Sequence, residues 1–268
     1  MTHGQSWAIT AILAIVGAFP NGSLTATSGG YSADNSGVWI LVAFVLVVGG
    51  YTALTIHFDR VRSANIQAFA RSIGATFRRA PTNEDLSLPN GCQLAELGHD
   101  RFLQNVLEVA RTQDLNFTLF DYHYRIGYDS KSRADFDQTI SRMESPLLNL
   151  PAFILFPETF FAKIGKAFGR MDINFAEDSA FSAKYILRGE DEISLRALFT
   201  PAIREFLQPL QRLTVEARGN VIFVYRESVR TNPEKYAALI EEDKRILALL
   251  VEPQPSSADR VPKSASTA

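Results

Sequence analysis

The chain has 268 residues, with 27 Lys and Arg against 29 Asp and Glu and a formal net charge of −2. So even a balance lacks the basic face that counterion release from nucleic acid requires, which excludes that class of partner. A lone cysteine, Cys92, excludes an internal disulfide and a thiolate metal site, and reads as a small half-buried apolar residue.

The charge is unevenly placed. Every Lys and Arg lies beyond Asp59, and only His3 and His57 precede it as basic-type side chains. Residues 1–36 hold a short apolar segment, Trp7–Phe19, and a polar loop. About thirteen residues is short for a membrane span, so this segment is signal-like or forms the first arm of a helical hairpin. Residues 37–58 contain GVWILVAFVLVVGGYTALTI, which carries no charge. At roughly 1.5 Å per residue, about twenty helical residues cross a hydrocarbon core of about 30 Å. Trp39 and Tyr51 lie towards the ends, where aromatic rings favour the interface. Arg60, Arg62, Arg71, Arg78 and Arg79 follow the span and no basic residue precedes it, which predicts a cytoplasmic C-terminal side at a bacterial inner membrane. The lipid bilayer is the first expected partner.

Residues 59–80 are expected to form a juxtamembrane helix, continuous with the span, because Ile66, Phe69, Ile73 and Phe77 recur at three- and four-residue steps. Residues 81–252 are expected to form one cytoplasmic domain. It opens on a turn-rich loop, Pro81–Gly91. Leu115–Ile126 then alternates as a half-buried strand, with Phe120, Tyr122 and Tyr124 inward and Asp121, His123 and Arg125 towards solvent. Phe136–Met143 is the returning strand of a hairpin.

Leu147–Phe168 is apolar, but Pro151, Pro157, Glu158, Lys163 and Lys166 exclude a second span there. A strand through Phe153–Phe156 is followed by a helix opened by Pro157 and Glu158. Its phenylalanines oppose Lys163, Lys166 and Arg170, as in a core-packing helix with snorkelling lysines or a helix lying on a membrane surface. Ala183–Arg188 is a strand ended by Gly189. Glu190, Asp191 and Glu192 begin a helix, with Ile193, Ala197 and Leu198 on its buried side and a kink at Pro201. Gly219-Asn220 joins strands Leu213–Arg218 and Val221–Arg226. Asn232 caps a last helix, with Pro233 at its first position, running to about Val251. Residues 253–268, rich in Pro, Ser and Ala, are expected to be a disordered tail. The fold class is therefore α+β: an N-terminal transmembrane helix, or a hairpin of two, followed by one domain of mixed antiparallel sheet and helices.

FDYHYRIG (Phe120–Gly127), LPAFILFPE (Leu150–Glu158) and FSAKYILRGEDEISLRALFTP (Phe181–Pro201) carry a resemblance to a family of uncharacterised bacterial membrane proteins. That resemblance spans roughly residues 60–250. It implies one N-terminal anchor and a cytoplasmic domain, and it implies no chemistry. The apolar segment before Ser36 departs from the family's single anchor.

The chain has no phosphate-binding loop, dinucleotide fingerprint, H-E-x-x-H motif or nucleophile elbow. The nearest approach to a catalytic group is Asp121, His123 and Arg125, with His99 and Asp100 nearby, since an Asp orienting a His is a common base arrangement. Residues two apart on a strand share a face for purely structural reasons, so a solvated face is the expectation. Glu190–Glu192 could hold a cation, but helix capping accounts for it. No catalytic, cofactor-binding or metal-binding residue is therefore assigned, and no cofactor is expected. The expected role is a non-enzymatic interaction or scaffold module, with a membrane-protein partner or self-association. The alternative is a membrane-associated hydrolase or transferase with its site near Asp121 and His123.

Overall fold

The computed structural model describes residues 36–82, 85, 92–96, 98–127, 133–159 and 172–251. Helix α1 (Ser36–Ser72) runs unbroken from the apolar span into the charged sequence beyond it. Its Trp39–Ser72 portion is the one helix among the described residues long and apolar enough to cross a membrane. Trp39, Ile40 and Val47 are 69%, 70% and 70% exposed, so protein does not cover this surface. An all-apolar helix surface with no protein against it is suited to lipid.

The chain divides into two compact units, residues 1–53 and 54–268. The lower turns of α1 thus belong to the globular unit, with Ile66 and Ala70 buried in its core. The expected helix over 59–80 ends early, at Ser72. Gly74 takes a left-handed φ of 70°, and Thr76–Arg78 becomes strand β1. Phe77 therefore leaves the helical stripe and pairs with Leu107.

Among the described residues, eight further strands join β1 in one sheet: β2 (His99–Arg111), β3 (Asn116–Ile126), β4 (Ala134–Glu144), β5 (Leu150–Pro157), β6 (Asp172–Ile173), β7 (Tyr185–Gly189), β8 (Leu213–Gly219) and β9 (Val221–Arg226). The order is β1-β2-β3-β4-β9-β8-β5-β7-β6. Every described pair is antiparallel. This is the α+β architecture that the strand and helix patterns predict. Both edges are very short strands, which limits edge-to-edge pairing with other chains.

Alternation along β3 divides two cores. Phe117 and Leu119 join one, with the lower turns of α1 and the last helix. Phe120, Tyr122 and Tyr124 join the other, with Leu94 of α2 (Gln93–Glu96) and Cys92 just before it. Cys92 is fully buried rather than half-buried, and burial, with Glu216 beside it, pushes its thiol well above the ordinary range. Glu216 reaches over to accept the backbone N–H groups of Gln93 and Leu94, tying this segment to β8.

The connections follow local chemistry. Asp178 caps α3 (Ser179–Lys184). Asp191 caps α4 (Glu192–Leu198) by accepting from the Ser194 N–H at 3.0 Å. The acidic run is thus a helix start, as its composition predicts, and Glu192 pairs with Arg196 while Arg188 pairs with Asp172. The buried side of α4 differs from the expected one. Leu195 and Leu198 are buried, whereas Ile193 is 84% exposed and Ala197 is exposed. Pro201 does not kink one helix. It opens a second, α5 (Pro201–Leu207), which Thr200 caps. A proline lacks the N–H that a helix interior needs, and the first turn does not need it. Arg218 pairs with Val221 across Gly219-Asn220, with Gly219 at φ 60°, as the hairpin signal predicts. Asn232 caps a short 3-10 turn at Pro233 that leads into α6 (Tyr236–Val251). The segment Trp7–Phe19, the residues Lys163, Lys166 and Arg170 of the helix expected after Pro157, and the tail 253–268 lie outside the described residues.

Candidate functional site

Asp121 is not on a solvated face. It is 4% exposed. The face it shares with Phe117 and Leu119 is covered by the lower turns of α1 and by the chain leading into α6. Arg62 of α1 grips its carboxylate with two nitrogens, Nε to Oδ2 at 2.8 Å and Nη2 to Oδ1 at 2.7 Å. This planar two-point geometry is the strong form of the Arg–carboxylate pair. Arg62 also donates to the Thr231 carbonyl at 2.9 Å, to Thr139 at 3.2 Å and to the Tyr236 hydroxyl at 3.2 Å. Arg230 adds a contact to Asp121 at 3.4 Å and one to Asp59 at 3.3 Å.

Asn105 completes the cluster. Strand β2 departs from regular register between Gln104 and Leu107, and Asn105 takes a left-handed φ of 56°. Such a bulge re-aims a side chain. Asn105 Nδ2 donates to Asp121 Oδ2 at 2.9 Å, and its Oδ1 accepts from Ser63 of α1 at 2.7 Å. Sequence reading missed Asn105, Arg62 and Arg230 as partners of Asp121. An Asn inside a strand was the one local signal of the bulge.

Burial alone would raise the Asp121 pKa. The Arg62 contacts, with Arg230 and Asn105, outweigh it and hold this carboxyl below the usual range. Arg62 is correspondingly raised despite its burial. Two cations face two carboxylates, so the charge of the cluster is balanced. A carboxylate stabilised in this way is a poor base, because its proton affinity has been lowered and its lone pairs are occupied.

His123 turns elsewhere. Its ring stacks on Phe102 with centroids 4.6 Å apart. Its Nδ1 lies 3.1 Å from Asp137, and its Nε2 lies 3.6 Å from Asp135. Arg125 bridges Asp100 at 2.5 Å and Asp135 at 2.6 Å, and His99 lies 3.5 Å from Asp100. The structure therefore brings His99, Asp100, His123 and Arg125 to one end of the sheet and separates Asp121 from them by function. The carboxylates at that end are half exposed. Among the described residues, no group of His, Cys, Asp and Glu is arranged to hold a metal ion. An apolar gap between α5, α6 and the sheet, lined by Phe199, Ile203 and Ile246, has a volume of about 10 Å³. That is room for at most about one water, not for a substrate.

His123→Ala is expected to lower stability by only about 1–2 kcal/mol, since contacts to half-exposed carboxylates contribute little and one ring stack is lost. Chemical denaturation checks the magnitude. A larger loss would show that this end of the sheet is more tightly coupled to the core than its exposure implies.

No protein-family model matches the chain, and no curated protein matches its sequence. Among solved structures, its fold is similar to that of the mycobacterial trehalose monomycolate transport factor A, TtfA. The TM-score is 0.52 at 10% sequence identity, and the match covers 73% of this chain and 98% of that one. At such identity the likeness is one of fold.

Proposed function

We propose that the chain is a membrane-anchored, non-enzymatic interaction or scaffold module, with its α+β domain at the cytoplasmic face of a bacterial inner membrane. The observation that carries this reading is how the polar residues are used. The acid best placed to serve a catalytic base is instead bound in a neutral cluster that fixes the lower turns of α1 into the sheet domain. The uncharged, exposed upper part of α1 supports attachment to lipid. The arginines that follow it, with none before, support the cytoplasmic orientation. The likeness in fold is to a protein described as a transport factor, which is in keeping with a non-enzymatic role. The trehalose monomycolate in that protein's description is not carried over.

Two measurements test the reading together. The intact protein should stay with membranes through an alkaline carbonate wash, and a reporter fused after Ala268 should be active only as a cytoplasmic fusion. Release by the wash would remove the anchor, and a periplasm-active reporter would reverse the orientation. Purification from cross-linked membranes should then recover the chain with a defined membrane-protein partner or with itself, and His123→Ala should leave both recovery and cellular function unchanged. Loss of function in a fully folded His123→Ala protein would favour the hydrolase or transferase alternative.

A further inference from the structure

Helix α6 packs on the sheet through Tyr236, Ile240, Asp243, Ile246 and Leu250. Four of these suit an interface between helix and sheet. The fifth is an aspartate at the centre of the stripe, 0% exposed. One carboxyl oxygen, Oδ2, meets the Ser141 hydroxyl of β4 at 2.5 Å. The other, Oδ1, is buried and has no hydrogen-bond partner. Among the described residues, no cation reaches the carboxyl within ion-pair distance: the near guanidinium, Arg226 of β9, is taken by the adjacent Glu242 at 2.5 Å. From α1, Arg62 reaches Tyr236 rather than Asp243, and Arg245 of α6 lies over Phe206 of α5 at 5.0 Å. Among the described residues, the surroundings thus offer Asp243 one hydroxyl, no directly paired cation and an acceptor oxygen without a hydrogen-bond partner. A buried carboxylate in that position is costly, and the neutral acid is far less so.

We propose that Asp243 is a proton-operated latch for the C-terminal helix, docking α6 firmly on the sheet while its carboxyl is protonated and loosening it when the proton is lost. The inference stands apart from the proposed membrane role. Burial, opposed by the Ser141 contact, pushes the Asp243 pKa up to about 7. In a helix lifted from the sheet the same carboxyl titrates in the ordinary range, near about 4. Between those values the docked form holds a proton that the lifted form has lost. Docking therefore weakens about tenfold per pH unit as pH rises through that window, and levels off above about 7. The consequence reaches the candidate site, because Tyr236, at the start of α6, hydrogen bonds Arg62.

The test is hydrogen–deuterium exchange of the full-length protein in detergent micelles, with rates corrected for the intrinsic pH dependence of exchange. Opening of α6 should increase on the order of 100-fold between about pH 5 and 7 and then flatten, while β3 and β4 amides keep their protection. Asp243→Asn should abolish the rise, and Glu242→Gln should keep it. If the Asn variant does not fold, Asp243→Leu, which continues the apolar stripe, replaces it. Infrared spectroscopy of the wild-type protein supplies a reading independent of any variant: a buried protonated carboxyl band present at pH near 6 and lost above about 8. Protection of α6 that does not vary with pH, a rise that survives in Asp243→Asn or Asp243→Leu, or the absence of that infrared band overturns the proposal.

Discussion

Asp121→Ala is expected to destabilise the globular unit by about 3–5 kcal/mol, the usual cost of removing one partner from a buried pair. The substitution takes away the carboxylate that Arg62 grips at two points, leaves Asp59 facing two guanidinium groups, and removes the acceptor for Asn105 and Arg230 at the same time. Denaturant midpoints of the full chain in micelles measure it. A loss under about 1 kcal/mol, the range of an exposed pair, would return Asp121 to the surface. The double substitution Arg62→Leu with Asp121→Leu should recover part of the loss, because apolar residues of similar volume often replace a buried pair with little penalty. The sign of the pH dependence follows from the depressed Asp121 pKa. Its contribution is full above the ordinary carboxylate range and is lost as pH falls through the folded-state value, so the Ala variant should show a flatter acid limb than wild type. This is opposite in sign to Asp243, whose raised pKa makes docking stronger towards acid.

The second large effect is expected at Gly98, which immediately precedes β2. Gly98 has a left-handed φ of 69°, and a Cβ there would lie 2.3 Å from the backbone oxygen of Arg125. Alanine therefore meets two penalties: about 1–2 kcal/mol for the left-handed backbone and about 1–3 kcal/mol for overpacking against backbone that cannot rotate away. Gly74 provides the control. Its φ is 70°, but a Cβ there would meet nothing within 4 Å. Gly74→Ala should thus cost only about 1 kcal/mol, and the difference between the variants isolates the contact. Thermal unfolding of both proteins checks this. Equal shifts would mean that β3 gives way at Arg125 and that the start of β2 is not fixed.

Several elements were legible because their signals are local. The span is a matter of uncharged length. The β3–β4 hairpin follows from alternation, and the β8–β9 hairpin from Gly219-Asn220. The starts of α4 and α6 follow from Asp191, Asn232 and Pro233. Strand β2 escaped because its register shifts at three places, and each shift breaks the period of two on which strand recognition relies. The end of α1 was misplaced for a related reason: the apolar spacing of Ile73 and Phe77 continues the helical pattern past the glycine that stops it.

The candidate site marks the boundary most clearly. Alternation alone places Phe120, Tyr122 and Tyr124 on one face of β3 and Asp121, His123 and Arg125 on the other, and the structure keeps that division. It does not say which face is dry. Here both are covered, and the cover over Asp121 comes from residues 59 and 109 positions away in sequence, Arg62 and Arg230. Asp243 shows the same limit from the helix side. Its spacing fits the buried stripe, while its chemistry argues for water. A sequence period reports which residues share a face. Whether that face meets solvent, a countercharge or an apolar wall depends on what packs against it, and only the tertiary fold sets that.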